Sequence, residues 1–191
     1  MRFVRALPLL VMLFAPLLFS LGACSSSSSA PSGSAEEKRQ INAVVNNALP
    51  QLYREVPGSR DLAMKAQGVL VFPDVYKAAI GVGGEYGKGE LRVGGNTAGY
   101  YSIASGSLGL QLGAEARNIV FMFMTPEALA NFRTSSGWQA GANAGVALVK
   151  KGSEGSIDTS QINAPVLAFV YGNTGLMADV SVEGTKISRI E

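Results

Sequence analysis

The chain contains no histidine and only one cysteine, Cys24. Without histidine there is no Ser-His-Asp or Cys-His constellation for nucleophilic catalysis. Zinc sites built from His and Cys are excluded on the same ground. A lone cysteine cannot form a disulfide within the chain, so stability must come from the packed core. Charge is also scarce: only 16% of residues are charged, with 16 Lys+Arg against 14 Asp+Glu. Arg2 and Arg5 supply the whole excess, and beyond them basic and acidic residues balance at 14 each. A nucleic-acid partner calls for a basic excess on the folded domain, and there is none overall. Long apolar runs are missing except for Ala6 to Leu21, sixteen residues interrupted by Pro8 and Pro16. That falls short of the roughly 20 residues of a spanning helix.

Other catalytic and binding signatures are missing too. Gly81-Val82-Gly83-Gly84-Glu85-Tyr86-Gly87 has the wrong spacing for a dinucleotide loop, because Tyr86 stands where the third glycine belongs. Ser105 and Ser107 do not sit in a Gly-x-Ser-x-Gly elbow, and no lysine has a serine three positions before it. Glu85, Glu90, Glu115, Asp179 and Glu183 could in principle supply a carboxylate pair, but nothing in their spacing brings two together. No EF-hand pattern occurs. We therefore expect no enzyme activity, no metal and no cofactor.

What is present begins with the leader. Arg2 and Arg5 precede the apolar stretch, which runs into Leu21-Gly22-Ala23-Cys24. A basic start, an apolar middle and small residues before a cysteine make a bacterial lipoprotein signal with Cys24 as the lipidated residue. Residues 1–23 read as signal peptide, 24–34 as lipidated cysteine and Ser-rich tether, and 35–191 as the domain. Multiple acyl chains on Cys24 would anchor durably. Ser25, where an aspartate would signal retention, points by analogy to the outer membrane of a bacterial cell envelope. An ordinary cleaved signal peptide, with Cys24 incidental, is the alternative.

Beyond the tether, Ser34 and Glu37 match a capping box, and Ile41, Val44, Val45, Ala48 and Leu52 recur at helical spacing. This predicts a core-packed helix from about Ala35, broken or kinked at Pro50. A second short helix is predicted over Ser59–Ala66. Strands follow: Val69–Phe72, ended by Pro73; Ala78–Tyr86 and Glu90–Val93 around a Gly87-Lys88-Gly89 hairpin turn; Tyr100–Ile103; Ser107–Leu112; Ile119–Met124. Thr125 and Pro126 open a helix to about Arg133. Trp138 to Leu148 alternates as a strand, Lys150 to Asn163 is a polar loop, and Val166–Tyr171, Leu176–Val182 and Lys186–Ile190 complete the set. The fold class is α+β: a mainly antiparallel, strongly curved sheet, barrel- or sandwich-like, with an N-terminal helical segment and one or two further short helices. Glycine within strands fits the bends such a sheet needs.

Lys65, Lys77, Lys88 and Arg92 gather around the first hairpin in sequence. They could form a patch for an anionic lipid headgroup, or they could be edge and turn charges that discourage strand aggregation. The residues alone favour the second.

Lys65-Ala66-Gln67-Gly68-Val69-Leu70-Val71-Phe72-Pro73 resembles the opening signature of the SYLF domain. Gly81-Val82-Gly83-Gly84 with Gly87-Lys88-Gly89, Ser107 to Ala114, and Gly175 to Ala178 through Val182 to Ile187 are similar to its later blocks, in order. The resemblance covers about Ala48 to Glu191 and implies a lipid-binding domain; bacterial members couple it to a lipoprotein leader. Two positions depart from the pattern: Tyr100-Tyr101 near a common tryptophan, and Asn143 where bacterial relatives often carry aspartate. The resemblance implies binding of phospholipid or a similar anionic amphiphile, with the membrane engaged through the Cys24 anchor. The alternative is an envelope lipoprotein that docks a protein partner.

Overall fold

The computed structural model describes residues 32–80, 82–108, 113–143, 145–149, 163–172, 175–177 and 181–190. The leader, Cys24 and most of the Lys150–Asn163 loop lie outside the described residues. Pro31–Glu191 forms a compact unit of its own.

Helix α1 spans Ser32–Glu55. It begins a few residues before the expected start, so Ser32, Gly33 and Ser34 join its first turn instead of a tether. First-turn N–H groups have no intrahelical partner anyway, so weak helix formers are tolerated there. Ile41, Val45, Ala48 and Leu52 are buried, as the periodicity predicts, and Leu49 joins them, whereas Val44 stays 36% exposed. Pro50 does not break the helix, which continues to Glu55. The turns on either side are pinned: Leu49 and Leu52 pack into the core, and the Tyr171 hydroxyl donates to the Ala48 carbonyl at 2.7 Å. Tertiary anchoring thus offsets the lost backbone donor of the proline. Helix α2, Ser59–Lys65, follows after Gly58, which adopts a left-handed conformation.

Among the described residues, nine strands form one curled sheet: β1 Gly68–Ile80, β2 Val82–Val93, β3 Asn96–Leu108, β4 Gly113–Phe123, β5 Trp138–Gln139, β6 Val146–Leu148, β7 Val166–Gly172, β8 Gly175–Leu176 and β9 Lys186–Ile190. The order is β5-β9-β3-β2-β1-β4-β7-β6, with β8 paired to β7. Among the described strands, only β6 and β7 run parallel. The α+β class with a curved, mainly antiparallel sheet is therefore correct; several strand boundaries are not.

Pro73 does not end β1. The strand passes through it with a bulge, Asp74 taking a positive φ of 48°, and the register with both neighbours shifts there. Gly87-Lys88-Gly89 is not a turn; it lies inside β2, opposite Ile103, Ser102 and Tyr101. Glycine is required for a different reason. A Cβ on Gly89 would fall 1.9 Å from the Val71 carbonyl oxygen, where β1 bends across β2. The tight reversal is instead at Gly94-Gly95, with φ of 58° and 81°, between the paired Val93 and Asn96. Those signs of φ suit a hairpin turn of the kind glycine favours.

Tyr100–Ile103 is part of one long β3. Trp138 to Leu148 is not one strand either. The Asn143 side-chain oxygen accepts from the Gln139 N–H at 2.7 Å and closes a turn after β5. An aspartate there could accept the same bond, so that departure from the SYLF pattern leaves the turn intact. Val182 lies outside strand, and Leu176 ends the short β8. Helix α3, Pro126–Thr134, is capped as predicted, with Thr125 Oγ1 accepting from the Ala128 N–H at 3.2 Å.

Alternation along the strands divides the core between the two faces of the sheet. Leu70, Phe72, Leu91, Phe121, Phe123 and Val170 point to one face, under α3 and Trp138. Phe121, Phe123 and Phe132 surround the Trp138 ring at 5.7 to 6.2 Å. Val69, Val71, Val120, Met122, Phe169 and Tyr171 point to the other face, under α1 and α2.

Candidate functional site

The face under α1 carries the polar chemistry. Lys88, Glu90 and Arg92 alternate along β2, so all three project toward α1. Lys88 pairs with Glu37. Glu90 is fully buried and pairs with Arg92, whose Nη2 also donates to Asn46 Oδ1 at 2.8 Å. Asn42, with its amide nitrogen turned to the acceptors, reaches the Lys38 carbonyl at 3.2 Å and the Tyr100 hydroxyl at 3.0 Å. Lys38 lies 5.7 Å from the Tyr100 ring centre. In this seam, Lys88–Glu37 and Arg92–Asn46 tie β2 to α1, which covers the buried Glu90–Arg92 pair within β2. The hydrogen bond to Glu37 holds the Lys88 ammonium above its ordinary range.

At the C-terminal end of that seam a cleft of about 430 Å³ opens between α1, α2 and the β2–β3 turn. Leu49, Val69, Ala63 and Met64 give it apolar walls, and Arg60, Arg92 and Tyr53 give it polar ones. Met64 is 72% exposed at its lip. The Arg60 guanidinium sits 6.0 Å from the Tyr53 ring centre. Burial pushes the Tyr53 hydroxyl up, and the positive charges of Arg60 and Arg92 act against that push. The Arg60 guanidinium beside a half-buried phenol on an apolar floor can hold an anionic oxygen cluster with a hydrocarbon tail, and Arg92, its charge balanced by Glu90, can add a remaining N–H donor.

The four basic residues named from the sequence do not share one patch. Arg92 lines the cleft. Lys65 is exposed in the last turn of α2, next in sequence to Met64. Lys88 borders a second groove with Tyr76, Tyr86 and Val44. Lys77 stands opposite Glu85 and Glu115 on the other face of the sheet. Arg60 and Tyr53 were missed, since only the packing of α2 against α1 brings them to Arg92.

The carboxylates divide as well. Glu85 is engaged by Arg117 Nη2 at 2.5 Å, both nearly inaccessible at 9% and 5%. Glu90 is committed to Arg92, and Glu183 is exposed. Asp179 and the Glu115 side chain lie outside the described residues. Among the described residues there is no cluster of three metal-ligating side chains, and no helix is long and apolar enough to cross a membrane.

The family model Ysc84, described as "Las17-binding protein actin regulator", matches residues 104–190. Beta cell expansion factor A of Aeromonas veronii, a SYLF protein, is 27% identical over 159 residues, 82% of this chain. The match spans 58% of that relative's length. The stretch that matches this family model runs from within β3 to the end of β9.

Proposed function

We propose that this is a bacterial lipoprotein, anchored through Cys24, whose domain binds phospholipid or a similar anionic amphiphile without catalysing a reaction. The outer membrane, with the domain on its periplasmic or outer side, is the site that the leader and Ser25 support. The observation that carries the binding reading is the convergence of Arg60, Arg92 and Tyr53 on one apolar-walled cleft. The actin regulation in the family description is not carried over, because an envelope protein does not meet actin.

The test is co-sedimentation of residues 31–191 with phosphatidylcholine vesicles, with and without phosphatidylglycerol, at two salt concentrations. Each basic side chain near an anionic surface contributes about 1 kcal/mol, so Arg60→Gln should weaken anionic binding about fivefold, Arg92 being kept because it pairs with the buried Glu90. Binding should also fall with salt. Absence of binding to every vesicle would sink this reading and favour the protein-docking alternative.

A further inference from the structure

A second surface remains. Tyr76 and Tyr86 are directly paired across β1 and β2 and are 64% and 52% exposed. Large aromatic side chains that stay in water on a strand pair are unusual unless a partner covers them. Val44 of α1 is exposed beside them, and together with Pro73 they line a groove of about 340 Å³. Charge along it is muted: Lys88 and Glu37 neutralise each other, and Gln40 is uncharged. Asp74 at the rim is negative, so the groove offers no attraction to anionic headgroups. This is the opposite chemistry from the Arg60–Arg92 cleft.

Its position picks out an occupant. Glu37 and Gln40, on the second turn of α1, line the groove. At 1.5 Å per residue, Glu37 lies about 8 Å along the helix from Ser32. Ser32 stands eight positions after Cys24. A Ser-rich chain of that length spans roughly 16 Å on average and at most about 27 Å. A lipid on Cys24 therefore holds this end of α1 within tether reach of the bilayer. Tyrosine, with an apolar ring and a polar tip, is the side chain enriched at membrane–water interfaces.

We propose that Tyr76, Tyr86 and Val44 form a docking surface for the headgroup region of the bilayer that carries the anchor, orienting the domain on it. This rests on the lipoprotein reading above but not on the cleft. Covering the exposed parts of two tyrosines removes on the order of 200 Å² from water, which after ordering costs leaves about a tenfold change in partitioning.

The full chain, reconstituted into vesicles of phosphatidylcholine with brominated acyl chains plus phosphatidylglycerol, tests it by tryptophan quenching. Trp138 is 1% exposed and serves as the internal reference that lipid does not reach. The emission added by Tyr86→Trp should shift to the blue and be quenched by about half or more, independently of salt. Tyr76→Ser with Tyr86→Ser should lower vesicle partitioning of residues 31–191 about tenfold on neutral and anionic lipid alike. If Met64→Trp at the cleft is quenched and Tyr86→Trp is not, the docking surface is refuted while the amphiphile cleft stands. If neither is quenched, both fail. A Tyr86→Trp shift that follows protein concentration without vesicles would assign the surface to a second copy of the chain and overturn the inference.

Discussion

Gly89→Ala separates two accounts of the same motif. If Gly87-Lys88-Gly89 were a hairpin turn, a methyl group would point into solvent and cost little unless φ were positive. Gly89 instead lies mid-strand, paired with Tyr101, and its added Cβ would sit 1.9 Å from the Val71 carbonyl oxygen and 2.7 Å from Phe72 Cδ1. Val71 and Phe72 are both fully buried, so neither can swing away. Relief requires moving β1 against β2 by more than 1 Å where ladders hold both sides. Overpacking of this kind costs about 1–3 kcal/mol, and losing one or two ladder hydrogen bonds adds about 1 kcal/mol each. The expected loss is about 2–5 kcal/mol, or roughly 10 °C in Tm for a domain of this size. Gly106→Ala is the control, because nothing lies within 4 Å of its added Cβ. Thermal unfolding of residues 31–191 by circular dichroism reads both. A Gly89→Ala variant within about 1 kcal/mol of the parent would refute the close-approach account and the β1–β2 register with it.

Tyr171→Phe should cost about 1–2 kcal/mol at neutral pH by removing the hydrogen bond to Ala48. Burial pushes the Tyr171 hydroxyl well above its ordinary range, so its contribution is intact below about pH 10 and declines above it, as the unfolded chain ionises first. Melts between pH 7 and 11 should show a shallower alkaline decline for the variant; an unchanged slope would contradict this. Arg117→Met should cost about 3–5 kcal/mol by stranding the nearly inaccessible Glu85 carboxylate, and Arg117→Met with Glu85→Met should recover most of it. Denaturant titration of the two variants decides the point, and equal losses would show that the pair is not coupled.

Helical periodicity and capping chemistry were the most legible parts of the chain. Thr125-Pro126 specifies the start of α3 through purely local bonds, and the apolar spacing from Ile41 to Leu52 specifies which side of α1 is buried. The sheet's existence was legible as well, since short apolar runs separated by glycines need a curved surface to pack. Its boundaries were not, because glycine and proline have several uses. Pro73 looks like a stop, yet it marks a bulge in a strand that continues. Gly89 looks like a turn, yet it answers a contact with Val71, eighteen residues earlier in the chain. Pro50 is tolerated because Tyr171, from the far end of the chain, holds the adjoining turn. Each error arises where a long-range contact outweighs a local preference.

The same distinction explains why the basic residues could be named but not assembled. Lys88 and Arg92 share a strand face by alternation, and that much is local. Their roles part because α1 crosses them at different heights: Glu37 meets Lys88 and Asn46 meets Arg92. Val44 and Tyr53 are nine residues apart on α1, so the tyrosine groove and the arginine cleft are offset by about 14 Å along the helix. On the proposed reading, a domain anchored through Cys24 would meet the bilayer through the uncharged aromatic groove near the start of α1, with Arg60 and Arg92 toward the helix's other end. Anchoring and amphiphile capture would then use separate sites. Loss of the tyrosines should change how the domain lies on the membrane, and loss of the arginines should change what it binds.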